Sequence, residues 1–160
     1  MLNLIEIRSF LDIDELAQKK HLLELSDKEN LKFSRHRDAE HTIDSVERFV
    51  RQTWESGGRF YLIFSKEEVI GTLTINRVSD KVRSLGILMY RSHHNSGNAS
   101  TAIDCAIKTL RAGECEAISI GTNIANFPMR RVVEKLKFVV DCSNNGLDEI
   151  RNIYFVRELR

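Results

Sequence analysis

The spacing of hydrophobic and polar residues changes along the chain between a helical and a strand period, and these changes divide it into elements. Residues 4–10 are predicted as a first strand and residues 12–26 as a helix. The apolar face of that helix is imperfect and consists of Ile13, Leu16, Ala17, Leu22 and Leu23. The polar segment 27–41 is predicted as a loop or a short helix.

A second helix is predicted to begin after Thr42, a residue type that caps helices, and to end at Gly57-Gly58. Its apolar positions are Val46, Phe49, Val50 and Trp54. Three strands follow at residues 59–65, 69–78 and 83–90, joined by short polar turns that predict antiparallel pairing.

The rest of the chain alternates helix and strand. A helix with Ala102, Ile103, Ala106, Ile107 and Leu110 on one face is predicted to stop at Gly113. A strand at 117–121 precedes a helix that begins near Pro128, because proline suits the first helical turn. Two last strands are predicted at 138–142 and 152–159, with a turn at residues 144–146. This order predicts an α+β fold with a mixed sheet flanked by helices.

The composition is that of a globular protein, since 42% of the 160 residues are hydrophobic and 29% are charged. We expect one domain over residues 1–160. A formal net charge of +1 does not favour a nucleic-acid partner. No signal-peptide pattern and no apolar run of about 20 residues is present, so no membrane span is predicted. Three cysteines in no disulfide pattern indicate reduced thiols and a cytoplasmic location.

Candidate chemistry is concentrated between the third of these strands and the next helix, in residues 92–100. Gly97 can adopt a positive φ, and the small side chains of Ser96, Ala99 and Ser100 leave the backbone accessible. Unpaired amides at a helix N-terminus bind anions, so the segment is predicted to hold a pyrophosphate. An ordinary strand-to-helix turn is the alternative. Neither G-x-x-x-x-G-K-[ST] nor G-x-G-x-x-G occurs here.

Two motifs make the chain resemble the GNAT superfamily of acyl-CoA-dependent N-acetyltransferases. His94-Asn95-Ser96-Gly97-Asn98-Ala99 is similar to the family loop Q/R-x-x-G-x-G/A, with His94 replacing the leading residue. Residues 126–138 are similar to N-x-x-S-x-x-[VL]-x-E-K-x-G-F, the pattern of the branch that contains ribosomal-protein and amino-sugar N-acetyltransferases. Met129 and Lys137 depart from that pattern. The resemblance covers nearly the whole chain.

The resemblance implies acetyl-CoA as the acyl donor and no metal. It implies that the pyrophosphate meets the loop residues His94, Asn95, Ser96, Gly97, Asn98, Ala99 and Ser100. The main chain of Leu88, Met89 and Tyr90 would lie beside the pantetheine arm. Asn126 would bind pantetheine through its amide or would only cap the following helix.

The usual catalytic positions of the family are not filled by usual residues. The strand glutamate, the helix tyrosine and the branch serine correspond here to Ser84, Val133 and Met129. Replacement candidates are Tyr90, whose amide or hydroxyl is a hydrogen-bond donor, and the imidazoles of His93 and His94. The alternative for Tyr90 is a packed or half-exposed aromatic ring without a catalytic role. The alternative for His93 and His94 is that they are solvent-exposed loop residues. A further alternative is that no residue acts as the base, because ordered water and the free-amine form of the acceptor suffice.

The acceptor is predicted to be a primary amine on a small molecule. Arg35, His36 and Arg37 form a cationic group suited to phosphates or carboxylates, with a solvated charged loop as the alternative. The segment around them resembles that of acetyltransferases of polysaccharide pathways, which implies an amino sugar on a nucleotide diphosphate as the acceptor. Two other functions stay open, namely acetylation of a protein or peptide N-terminus and a non-catalytic CoA-binding module. Because many family members dimerise, a homodimer is also an expectation.

Overall fold

The computed structural model describes residues 1–34, 36, 38–142 and 152–159. In these residues seven strands form one sheet in the order β1-β2-β3-β4-β5-β7-β6. The strands are β1 (Leu2–Ile7), β2 (Arg59–Ser65), β3 (Glu68–Arg77), β4 (Val82–Met89), β5 (Ala117–Asn123), β6 (Val139–Val140) and β7 (Asn152–Glu158). The helices are α1 (Glu15–Leu25), α2 (Ile43–Glu55), α3 (Asn98–Arg111) and α4 (Phe127–Lys135).

The sheet is mixed and mostly antiparallel, which confirms the predicted α+β fold. Only β4 and β5 pair in parallel. Because α3 connects them, this pair is a crossover of the kind that parallel neighbours require. The β2–β3 and β3–β4 connections are short, as predicted, and both pairs are antiparallel.

The first strand is shorter than predicted and lies earlier in the chain. Ser9 caps a short 3-10 helix, Phe10–Asp12, and Phe10 is fully buried there. Glu47 of α2 holds this turn, since its carboxylate accepts hydrogen bonds from the Ser9 hydroxyl (2.8 Å) and the Leu11 amide (3.1 Å). Burial opposes ionisation of Glu47, but these hydrogen bonds keep its pKa below the usual value.

Helix α1 does not bury the face that its leucines predict. Leu16 and Leu23 are exposed, whereas Gln18 and His21 are buried. The buried polar groups have partners, because Gln18 donates to the carbonyls of Phe10 and Ile13 and the His21 ring contacts the Tyr90 hydroxyl. Burial of a polar group without a hydrogen bond costs free energy, and these hydrogen bonds offset that cost.

The other helices follow their predictions more closely. Thr42 caps α2 by accepting a hydrogen bond from the Ser45 amide. Val46 and Val50 are buried on that helix, whereas Phe49 and Trp54 stay partly exposed. The predicted face of α3 is buried at Ala102, Ile103, Ala106 and Ile107. The turn predicted at 144–146 lies outside the described residues.

Apolar side chains pack on both faces of the sheet. One cluster contains Ile103 of α3, Val133 of α4 and Leu73 of β3. The other joins Val50 of α2 to Leu62 of β2. None of the helices described is long and apolar enough to span a bilayer.

Candidate functional site

Strands β4 and β5 separate soon after they meet, and the gap between them is the centre of the site. Their pairing extends only over Val82–Ser84 and Ala117–Ser119. The Tyr90 amide donates to the Ile70 carbonyl (2.8 Å), which fixes the alternation along β4. Hydrogen-bonded and non-bonded residue pairs alternate along an antiparallel pair of strands. The even-numbered residues of β4 therefore bond to β3, whereas the amides of the odd-numbered Leu85, Ile87 and Met89 face the gap.

Among the three backbone positions predicted to meet pantetheine, this alternation distinguishes Met89 from its neighbours. The polar backbone groups of Leu88 and Tyr90 turn towards β3. The Met89 carbonyl turns away from β3 and accepts hydrogen bonds from the Asn30 amide (3.2 Å) and the His94 Nε2 (2.9 Å). An extended arm in the gap would therefore add to β4 as a further strand does, through alternate residues.

The segment before α3 has the backbone of an anion cradle. Asn95 and Gly97 have positive φ angles of 60° and 77°, and Gly97 is the N-cap of α3. The first helical hydrogen bond runs from the Thr101 amide to the Gly97 carbonyl. The amides of Asn98, Ala99 and Ser100 consequently have no helical acceptor and point out of the helix N-terminus, where its dipole favours an anion.

Side chains fix this segment in place without using those amides. The Ser96 hydroxyl and the Asn98 side-chain amide both donate to the His93 carbonyl, and Asn98 also donates to Ser96. The imidazole of His94 ties the segment back to Met89 of β4. The predicted loop residues thus lie together after the end of β4, beyond the positions at which β4 pairs with β5.

A cleft of about 750 Å³ lies on the other side of the gap, below α2 and the connection from α1 to α2. Its inner wall consists of one face of β3 and β4 together with the end of β5. Apolar side chains supply the larger part of the cleft's surface. Neutral polar side chains from several elements line it as well: Gln52, Thr72, Thr74, Asn76, Thr122, Asn123, Asn126 and Asn152. Three histidines also line it, namely His21, His36 and His41.

His21 is a site residue that sequence reasoning missed. Its Nδ1 lies 2.8 Å from the Tyr90 hydroxyl, and its ring is almost fully buried. Burial, and then the nearby His41, lowers the pKa of His21 to about 4, so the ring is neutral at pH 7. The sequence gives one indirect signal for a buried polar residue here. The apolar positions of α1, which include Leu16 and Leu23, do not form one continuous face.

The predicted catalytic residues are all engaged in contacts within the protein. The Tyr90 hydroxyl is buried against His21, and burial, together with the charge of Glu24, raises its pKa. His93 lies 3.5 Å from the Glu68 carboxylate and does not line the cleft. His94 is held by the Met89 carbonyl.

The predicted acceptor segment reaches the cleft through His36, which lines it beside Phe49 of α2. Arg35 and Arg37 lie outside the described residues. Arg48 of α2 brings a cationic side chain to the same wall. Glu40 is the one carboxylate among the described residues that line the cleft.

Asn126 stands at the opposite rim, where β5 leads into α4. Its Oδ1 accepts a hydrogen bond from the Met129 amide (3.3 Å), so the capping role is present. Its side-chain amide remains available to the cleft that it lines.

The family's three catalytic positions occupy different environments here. Ser84 lies in β4 where the strand still pairs with β5, and Met129 lines the cleft. Val133 is fully buried. Among the described residues, no group of three or more His, Cys, Asp or Glu side chains is placed to hold a metal.

Comparisons with known proteins fit this architecture. A family model for the acetyltransferase (GNAT) domain matches residues 3–139. No curated protein matches the sequence.

The solved structures that are similar over nearly the whole chain include the following three. RimL, the ribosomal L7/L12 alpha-N-protein acetyltransferase in complex with coenzyme A, is 18% identical, covers 98% of this chain and 93% of its own, and has a TM-score of 0.78. Spermidine N-acetyltransferase from Vibrio cholerae, with CoA and spermine, is 12% identical over 99% and 95% of the two chains, with a TM-score of 0.79. The Campylobacter jejuni N-acetyltransferase PseH with acetyl coenzyme A is 15% identical over 99% of both chains, with a TM-score of 0.67. At these identities the likeness shows the fold alone.

Proposed function

Because this chain belongs to the GNAT acetyltransferase family and is an acyltransferase, we propose that it moves the acetyl group of acetyl-CoA to a primary amine on a small polar molecule. A nucleotide-linked amino sugar is the acceptor that we favour. The observation that carries this proposal is the cleft, which places neutral polar side chains among apolar ones next to the gap between β4 and β5. Arg48 supplies a cation at its outer wall, which we refer to as the cationic rim.

The donor half of the proposal rests on the segment before α3 and on the gap. The free amides of Asn98, Ala99 and Ser100 would bind the pyrophosphate of CoA, and His94 would hold their segment against β4. The pantetheine arm would then run along the gap beside Met89 and Ile87. This path would bring the thioester to the inner end of the cleft.

The reaction needs a free amine, a donor for the developing oxyanion and an exit for the thiolate. The Tyr90 amide was the sequence-based candidate for the oxyanion, but it already donates to Ile70. We therefore assign this role to the Ile87 amide, which faces the gap and whose residue lines the cleft. Since Tyr90, His93 and His94 are engaged, the acceptor would attack in its free-base form, which is in equilibrium with the ammonium form in solvent. As the C–N bond forms and the C–S bond breaks, the extra proton on nitrogen would pass through water to the departing CoA thiolate. A thiol with a pKa near ~8.5 leaves without strong acid assistance.

The acceptor half rests on charge. A polyamine site would need several carboxylates, and the described lining contains Glu40 alone. Arg48, His36 and His41 stand at the outer wall, where phosphates of a nucleotide would lie while the sugar reaches inwards. Arg35 and Arg37 flank His36 in sequence and would add to this rim.

The decisive experiment compares acceptor kinetics before and after the cationic rim is removed. We expect Arg35→Ala/Arg37→Ala to raise the KM for a nucleotide-linked amino sugar sharply and to leave the KM for acetyl-CoA unchanged. Arg111→Ala, at the far end of α3, is the matched control and should change neither constant. Unchanged acceptor kinetics in the double variant would contradict the assignment of the rim.

A further inference from the structure

One face of β3 carries polar side chains where the interior would ordinarily hold apolar ones. Gly71, Leu73 and Ile75 alternate with Thr72, Thr74 and Asn76. Leu73 and Ile75 are part of the apolar core. Thr72, Thr74 and Asn76 point to the opposite face and line the cleft; we refer to them as the β3 polar row.

The two threonines of the row are more than nine-tenths buried, with 6% and 8% of their surfaces exposed. Other threonines in the chain donate to a carbonyl, as Thr53 does to Phe49 and Thr109 to Cys105. The hydroxyls of Thr72 and Thr74 have no hydrogen-bond partner among the described residues. Neither hydroxyl is fully enclosed, because Arg130 Nε is the buried side-chain polar atom that lacks a partner among the described residues. Both hydroxyls therefore open onto the cleft, where their hydrogen-bonding capacity is free for a molecule that enters it.

The row lies directly beside the position of the chemistry. Thr72 and Thr74 are opposite Leu88 and Gly86 of β4, and Asn76 is opposite Ser84. Gly86 has no side chain above Thr74, where an added Cβ would lie 3.9 Å from the Thr74 Cβ. The absence of a side chain at Gly86 keeps the cleft open beside Thr74, next to the gap that would hold the thioester.

We propose that the β3 polar row binds the ring hydroxyls of the acceptor sugar and thereby sets the amine against the thioester; this inference rests on the proposed function. Two hydroxyls and one carboxamide both donate and accept hydrogen bonds, which is what a polyhydroxylated ring requires. The row carries no charge, so it favours neither a polyamine nor a phosphate. Its members are two residues apart on one strand face, so they contact successive parts of one ligand.

The test replaces the hydroxyls while it preserves shape. Thr72→Val and Thr74→Val should each lower kcat/KM for the amino-sugar acceptor about tenfold, the loss expected for one hydrogen bond to a ligand. Acetyl-CoA affinity, measured by calorimetry, should not change. Thermal stability should change little, because valine keeps the shape of threonine and no hydrogen bond within the described residues is lost. Thr74→Ser retains the hydroxyl and should recover most of the activity.

Two controls separate recognition from packing. Thr109→Val lies on α3 outside the cleft and should leave acceptor kinetics unchanged. Deoxy acceptors supply the second control, because the deficit of Thr74→Val should vanish for the analogue that lacks the hydroxyl bound by Thr74. A deficit that persists with every deoxy analogue would overturn the proposal.

The outcomes also separate this inference from the function on which it rests. If the wild-type enzyme acetylates the amino sugar and the valine variants match it, the polar row is not the sugar site while the proposed function stands. If the wild-type enzyme acetylates no amino sugar, both proposals fall.

Discussion

The Tyr90 hydroxyl lies 2.8 Å from the Nδ1 of His21, and this contact joins the end of β4 to α1 at the wall of the cleft. The raised pKa of Tyr90 keeps the phenol protonated, and a neutral imidazole carries one ring proton. The phenol donates to Nδ1 when the His21 proton is on Nε2, and it accepts from Nδ1–H in the other tautomer. The pair therefore stabilises the strand end that precedes the anion cradle, and it presents a neutral imidazole to the cleft.

The lowered pKa of His21 makes stability depend on pH. The folded protein holds this ring neutral down to about pH 4, whereas the unfolded chain binds a proton below about pH 6.5. Stability from this group is complete above pH 6.5, falls progressively as the pH decreases from 6.5 to about 4, and is fully lost below about pH 4. The whole effect is at most about 3 kcal/mol.

Chemical denaturation of His21→Gln across this pH range checks the prediction. The variant should lose less stability than the wild type between pH 6.5 and 4, because glutamine does not titrate. Parallel slopes for wild type and His21→Gln would show that His21 is not held neutral.

Gly97→Ala should weaken CoA binding through backbone strain alone. A Cβ at this position meets nothing within 4 Å, but the φ of 77° disfavours any L side chain by about 1–2 kcal/mol. We expect a lower melting temperature and a smaller thermal shift with CoA and acetyl-CoA. Gly113→Ala is the control, since its Cβ would make an ordinary contact of 3.7 Å with the Leu110 carbonyl.

The wild-type protein supplies the reference for that series. CoA and acetyl-CoA should both stabilise it, and ATP should not, because a pyrophosphate without a pantetheine arm lacks the contacts along β4. Equal shifts with ATP would mean that the loop binds polyphosphates without regard to the rest of the ligand.

Two substitutions at Asn126 separate its two roles. Asn126→Asp keeps the oxygen that caps α4 and removes the amide donor, so stability should hold while CoA affinity falls. Asn126→Ala removes both and should also cost about 1 kcal/mol of stability. Urea denaturation and calorimetric titration with CoA provide the two measurements. Equal CoA affinity in the wild type and Asn126→Asp would restrict this residue to capping.

The sequence allowed the regular elements to be predicted where one periodicity dominates. The face of α3 is an example, because Ala102, Ile103, Ala106 and Ile107 recur at helical spacing and all four are buried. Helix α1 was mispredicted in its buried face, since the inward positions are the polar Gln18 and His21. Their partners, Phe10, Ile13 and Tyr90, become neighbours only after the chain has folded.

The candidate site also has parts that local sequence predicts and parts that depend on tertiary packing. Gly97 and its small neighbours are local signals, and the cradle could be read from them. The alternation of Thr72, Thr74 and Asn76 is also visible in the sequence, but which face of β3 meets a cleft depends on where α2 and β5 pack. The separation of β4 from β5 involves strands about 35 residues apart in sequence, and strand period alone does not specify that pairing.

The central claim is tested most directly by the mass of the acceptor after incubation with the wild-type enzyme and acetyl-CoA. The panel contains a nucleotide-linked amino sugar, the free amino sugar, a peptide with a free N-terminus and spermidine. Our account predicts the mass of one added acetyl group on the nucleotide-linked sugar, with less on the free sugar and none on the others. Acetylation confined to the peptide would contradict it, and no product with any amine would leave a protein that binds CoA without catalysis.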